Sequence, residues 1–304
     1  MNSILDDFKL AFKTGNILNQ LIVINVVVFV VLGVIGVFFT LAGYGGLFQS
    51  ISHYLMLPAD PSQLIYQPWT LITYFFYHEG LFHILFNLLF LYWFGKIIAE
   101  YIGQNKVLGL YVWGGILGGI LYMLAYNLLP YYAPAIAGTY LLGASGGVIA
   151  IVVGAATFMP NFTVPLIFLG PVRLKYIAAF YVITSLLQST GSNAGGEIAH
   201  LGGALAGFLF ITQLKSGNDW SRVVVQFITW VKSLFTPQPK IKVSYRKEKP
   251  SGSTKSTKSS KAPEKKKSET SQKEIDAILD KISDRGYDAL TKEEKQKLFN
   301  ASKD

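Results

Sequence analysis

The polar groups of the apolar part that could carry chemistry cluster in three short runs: His83-Ile-Leu-Phe-Asn87, Gly143-Ala-Ser145-Gly146-Gly147 and Ala199-His200-Leu-Gly-Gly203-Ala-Leu-Ala-Gly207. A serine hydroxyl is a weak nucleophile until a base takes its proton, and His200 is the histidine positioned late in the chain, in a separate segment, to do so. Ser145 stands at the start of an apolar helix, where unsatisfied backbone N–H groups can receive a developing oxyanion. His83 and Asn87, four residues apart, share a helix face and offer two side-chain donors. Gly143, Gly146, Gly203 and Gly207 are close-packing glycines; the small-xxx-small pair Gly203/Gly207 lets two helices approach closely. No Asp is positioned to orient the histidine, so the expected arrangement is a Ser145–His200 dyad with the ring held by packing.

These residues need elements that hold them at membrane depth. The chain of 304 residues is 51% hydrophobic yet carries a formal net charge of +9; its mean hydropathy is +0.38. The charge sits at one end: residues 1–235 hold nine Lys/Arg and seven Asp/Glu, the remainder eighteen and eleven. A long, nearly charge-free apolar chain calls for a bilayer as solvent. Six windows qualify or nearly qualify as spans, about 20 residues being needed: 18–41, 81–100, 107–128, 145–160, 173–189 and 197–214. The short fourth window starts inside the protein, below the membrane surface, which irregular backbone tolerates only where it lines a cavity or is buried. Lys9, Lys13, Lys96, Lys106, Arg173, Lys175, Lys215 and Arg222 fall in alternate connections, while loops 42–80, 129–144 and 190–196 have no Lys or Arg. By the positive-inside rule both termini are cytoplasmic and the long first loop is outside. The N-terminus lacks a cleavable signal pattern, and without cysteine there are neither disulfides nor thiolate metal sites.

The expected organisation is a cytoplasmic segment at 1–17, a membrane domain at 18–214, a juxtamembrane amphipathic helix at 215–235, a basic disordered linker at 236–272 and a small helical domain at 273–304. The first loop, with Pro58, Pro61 and Pro68, reads equally as an interfacial segment or a folded ectodomain loop. Eleven basic residues from Lys240 to Lys267 favour anionic lipid, by about 1 kcal/mol each near the surface. In the tail Ile275, Leu279 and Ile282 repeat at helical spacing, Gly286 stops that helix, and Thr291 with Glu294 forms a capping box for a second. Such a hairpin has little core and is expected to dock on a cytoplasmic partner, another copy or the membrane domain.

HILFN, GASGG and AHLGGALAG, in this order on the second, fourth and sixth of six spans, resemble the signature of rhomboid intramembrane serine proteases of the bacterial, six-helix type, here with an extra cytoplasmic helical tail. The resemblance covers about residues 18–214. It implies an all-α six-helix bundle, Ser145 as nucleophile and His200 as general base and acid. It implies an oxyanion hole from the Ser145 backbone N–H with the His83 and Asn87 side chains, and neither metal nor cofactor. It further implies transmembrane protein substrates cut next to small residues, and a fifth helix that gates their lateral entry. The expected location is a cytoplasmic (inner) membrane, with the site opening to the outer face. Two positions depart from the family pattern: Trp69 is followed by Thr70 where Trp-Arg is common, and Ile149 stands where an aromatic often packs on the catalytic histidine.

Each motif alone reads most simply as packing; the three together favour the protease. The competing expectation is a catalytically silent rhomboid-like binder of transmembrane helices, which would typically lack Ser or His. A metalloprotease would need an H-E-x-x-H run, which is missing, and nucleic acid is not an expected partner. His53 and His78 read as loop residues, with His78 an option for lining the mouth of the site. Glu197 reads as marking the solvated start of the sixth helix, a role in tuning His200 being the lesser option. Phe86, Tyr176, Phe180 and Tyr181 read as packing.

Overall fold

The computed structural model describes residues 16–166, 170–235 and 266–301. Most of the expected cytoplasmic segment and most of the basic linker lie outside these residues. The chain divides into two units, residues 1–239 and 240–304.

The first unit is an all-α membrane bundle. Its helices are α1 (Ile17–Leu41), α2 (Gly45–His53), α3 (Pro61–Tyr66), α4 (Thr70–Thr73), α5 (Leu81–Tyr101), α6 (Gln104–Leu128), α7 (Ser145–Phe158), α8 (Leu174–Gln188), α9 (Ala194–Lys215) and α10 (Ser221–Phe235). The six expected spans are α1 and α5 to α9. α1, α5, α6 and α9 are long and apolar enough to cross a membrane, and α7 and α8 are shorter apolar helices. α6 and α9 begin three residues earlier than their apolar windows. Gln104, Asn105 and Lys106 in one and Ala194, Gly195 and Gly196 in the other extend the helix beyond its apolar part.

The core is α6, α7 and α9, joined through glycine. A methyl on Gly203 would strike the Gly146 carbonyl, and one on Gly207 the Ala150 carbonyl. α6 has its own contacts: a methyl on Gly118 would lie 2.8 Å from the Ala199 carbonyl, and one on Gly202 2.7 Å from that of Leu117. Gly146 through Ala156 of α7 are all buried. α1 buries Leu18, Leu21 and Asn25: Leu18 lies against Gly95 of α5, and Asn25 donates to the Tyr111 hydroxyl of α6 at 3.1 Å.

The first loop is folded, not merely interfacial. Trp69 donates to the Tyr54 carbonyl at 2.8 Å, and Thr70, where the family often has Arg, is fully buried and bonds the Gln67 carbonyl at 2.7 Å. The Tyr74 hydroxyl reaches the Gly115 carbonyl at 2.6 Å. A short strand β1 (Leu57–Pro58) pairs antiparallel with β2 (Tyr140–Leu141), the segment leading into α7. At the opposite end of the bundle β3 (Thr163–Leu166) and β4 (Gly170–Arg173) pair between α7 and α8. That end also holds the Lys106–Asp219 ion pair at 2.7 Å and Lys215, whose ammonium reaches the Thr157 carbonyl at 2.8 Å.

α10 packs Ser221 and Val224 inward and leaves Val223, Phe227, Trp230 and Leu234 exposed at helical spacing; it begins at Ser221, since Lys215 still belongs to α9.

In the second unit, α11 (Lys266–Arg285) and α12 (Lys292–Ala301) form the expected hairpin. α11 starts inside the stretch read as linker. The capping box is formed: Thr291 N–H donates to Glu294 at 2.7 Å, and Glu294 N–H to Thr291 Oγ1 at 3.3 Å. Lys281 and the Thr291 N–H hold the Glu294 carboxyl down at about 2.

Candidate active site

Ser145 is the first residue of α7, and the chain entering it is held on several sides. Gly143 has φ +108°, a left-handed conformation that favours glycine, and its N–H donates to the Tyr74 carbonyl at 2.9 Å. Ala59 N–H donates to the Thr139 carbonyl at 3.0 Å, beside the β1–β2 pair. The Ala144 N–H donates to His78 Nε2 at 3.3 Å, and His78 Nδ1 faces the Phe76 carbonyl at 3.3 Å. Burial, with His83 beside it, pushes the His78 imidazole down to about 4. It is therefore neutral, with Nδ1–H donating and Nε2 accepting. His78, read from sequence as a loop residue, is buried support for the serine's loop.

His83 sits in the first turn of α5. Its Nε2 lies 2.8 Å from where a Cβ on Gly143 would stand, and Ser145 Oγ lies 3.9 Å from the same point. Glycine at 143 thus lets the imidazole lie against the loop that carries the serine. Asn87, one turn on, is buried and donates to the His83 carbonyl at 2.8 Å, which ties its carboxamide to the face bearing His83.

His200 stands in the second turn of α9. Its Nδ1 is 3.2 Å from Glu197 Oε2 and 3.3 Å from Ser185 Oγ of α8. This corrects two expectations. The ring has polar partners in addition to packing, and Glu197, with its side chain 14% exposed, is turned into the protein instead of marking a solvated helix start. Glu197 and His200 are three apart, so they share a face and their contact had a sequence signal. Ser185 had none.

Ser145, His200, His83 and Asn87 line one cavity of about 450 Å³, together with Glu79, Tyr140 and Asn193. A smaller space of about 190 Å³ also touches Ser145, Asn87 and His200 and is bounded by Phe86, Phe90 and Tyr181 between α5 and α8. Phe86, Tyr176 and Phe180 are exposed, in contrast to their expected packing, because the outer face of a membrane helix meets lipid. Tyr181 packs edge-on against Phe90. Ile149 is buried in α7 and lines the smaller space beside His200. Gly146 and Gly203 meet where α7 and α9 approach closely. His53 stacks on Tyr140, with ring centroids 4.1 Å apart.

The rhomboid domain family matches residues 66–216, and a family of unknown function, DUF6576, matches 263–304. RHOMBOID-like protein 12, mitochondrial, of Arabidopsis thaliana is 32% identical over 159 residues, covering 49% of this chain and 47% of its own length. The mouse presenilin-associated rhomboid-like protein, mitochondrial, is 29% identical, covering 50% of this chain and 39% of its own. YdcA of Bacillus subtilis (strain 168) is 30% identical, with 46% and 64% covered. The chain thus spans less than two thirds of each of these relatives.

Proposed function

The chain belongs to the rhomboid family of multi-pass membrane proteins, and from that premise we propose that it is an intramembrane serine endopeptidase acting on transmembrane proteins. The observation that carries the reading is the convergence of Ser145, His200, His83 and Asn87, from three helices, on one cavity. Ser145 Oγ attacks the scissile carbonyl while its proton passes to His200 Nε2, and the carbonyl π pair moves onto oxygen. The Ser145 N–H, His83 and Asn87 receive that oxyanion. Collapse of the tetrahedral intermediate breaks the C–N bond, and His200 gives its proton to the leaving amine. A water then attacks the acyl-enzyme with His200 as base, releasing the carboxylate and restoring the Ser145 hydroxyl.

The apolar space between α5 and α8 supports lateral entry of a substrate helix, since α8 buries little besides Leu174, Ile177, Ala178 and Ser185. Small residues next to the cleaved bond are the expected preference. Lys106 and Lys215 at the bundle end opposite Ser145 support cytoplasmic termini and a site facing outward. A cytoplasmic membrane is the proposed location, although two of the relatives are mitochondrial by name. The exposed stripe of α10 and the basic residues after it fit a lipid surface.

The test is cleavage of a generic transmembrane substrate and labelling by a fluorophosphonate in liposomes. Ser145→Ala is expected to abolish both and His200→Ala to abolish cleavage, with His83→Ala and Asn87→Ala each slowing it by about 10². Well-folded protein that neither labels nor cleaves would overturn the reading in favour of a silent binder of membrane helices.

A further inference from the structure

The contacts at His200 Nδ1 go beyond a two-residue mechanism. Glu197 Oε2 lies 3.2 Å away and Ser185 Oγ 3.3 Å away. Ser185 is 2% exposed, so a buried hydroxyl and the Glu197 carboxylate meet at the same ring nitrogen. A carboxylate largely withdrawn from solvent is costly unless it is paired and hydrogen-bonded, and here its partner is the His200 ring. An ionised carboxylate only accepts hydrogen bonds. Its contact with Nδ1 therefore requires the ring proton on Nδ1, which leaves Nε2 with its lone pair.

Resting on the protease reading above, we propose that Glu197, backed by Ser185, is the positioning residue of His200. It fixes the tautomer in which Nε2 can take the Ser145 proton, and it stabilises the imidazolium that follows. The protons balance: the Ser145 proton moves to Nε2 and leaves from there with the amine, Nδ1 keeps its own, and Glu197 stays a carboxylate throughout. The bundle thus holds an orienting carboxylate on the same helix as the base, one turn away, where the sequence offers no Asp.

The experiment uses the full chain in liposomes. Glu197→Gln keeps shape and removes charge; its kcat per folded molecule, with the folded fraction counted from the melting transition, is expected to fall about 10- to 100-fold with KM within about twofold, whereas a folding defect would lower the folded fraction and leave kcat per folded molecule unchanged. Glu197→Asp should recover part of the loss, and Ser185→Ala should cost only a few-fold. In parallel, nitrogen-15 NMR of histidine-labelled Ser145→Ala protein, with the His200 signal assigned by its substitution, is expected to show Nδ1–H, and Glu197→Leu in that background to lose the preference. An unchanged kcat in Glu197→Gln, or an unchanged tautomer in folded Glu197→Leu, would overturn the inference. Should Glu197→Leu not fold, the kcat of Glu197→Gln decides. If wild type is no more active than Ser145→Ala, the protease reading falls on its own, and the tautomer alone decides whether Glu197 sets the ring.

Discussion

α1 and α7 are both apolar helices, yet they meet opposite surroundings. The most apolar stretch of α1 is 11% buried against protein, whereas the corresponding stretch of α9, the partner of α7, is 56% buried. α7 itself buries every residue from Gly146 to Ala156, while beyond Asn25 α1 exposes Val30, Val34, Val37, Phe38 and Leu41. Water would have driven the more hydrophobic helix inward. In a bilayer lipid tails are as apolar as leucine, so hydrophobicity does not select the interior and close backbone approach does. α7 is central because Gly146, Gly147 and Gly154 let it come close to α6 and α9, and α1 is peripheral because it buries only Leu18, Leu21 and Asn25 fully, with Ile17 and Ile22 partly buried against the core.

One substitution, Gly→Ala, can break this comparison. The pair Gly203→Ala and Gly207→Ala would drive methyls into the Gly146 and Ala150 carbonyls, and each is expected to destabilise by about 1–3 kcal/mol, read as a lowered melting temperature and lost activity. If both variants melt like wild type, glycine contact is not what holds the core. Next in size, Asn25→Leu removes the polar tie from α1 to Tyr111 and is expected to cost about 1 kcal/mol, measured by unfolding in detergent; no loss would mean that apolar contacts such as Leu18, Leu21, Ile17 and Ile22 hold α1 without it. Gly33→Ala puts its methyl where nothing lies within 4 Å, so it should stabilise by up to about 1 kcal/mol, opposite in sign to the first pair. Smallest, Val30→Leu on the exposed face should shift stability by less than about 0.5 kcal/mol; a larger loss would reveal a protein contact on that face.

The contrast also explains what could be read from sequence. The spans were legible because a run of about 20 apolar residues has few other uses, and the starts of α5 at Leu81 and α7 at Ser145 fell where expected. The three polar runs were legible for the same reason: polarity stands out against so little of it. Ordering the helices from inside to outside was harder, because apolar composition does not distinguish lipid from protein. α6 went unnoticed as a hub although Gly114/Gly118 and Gly115/Gly119 repeat the four-residue small-residue spacing twice. The β1–β2 pair, the His78 support and the Ser185 contact join residues that are 15 to more than 60 positions apart, which no local pattern encodes. In the tail the capping box was local and was found, whereas the start of α11 at Lys266 lay within a Lys- and Ser-rich stretch read as linker. Lysine is a good helix former as well as a solvated charge, and composition alone did not separate the two roles.

The cavity draws its side chains from α5, α7 and α9, with His200 on the last of the spans. During synthesis the serine is threaded into the bilayer well before the histidine exists, and the glycine seam that would bring them together needs both helices. A ribosome-bound fragment ending before residue 200 has Ser145 and His83 but not His200, so its hydroxyl lacks the general base of the proposed mechanism. On the proposed mechanism the site therefore stays silent in the insertion machinery until the sixth span is made, about two thirds of the way along the 304 residues.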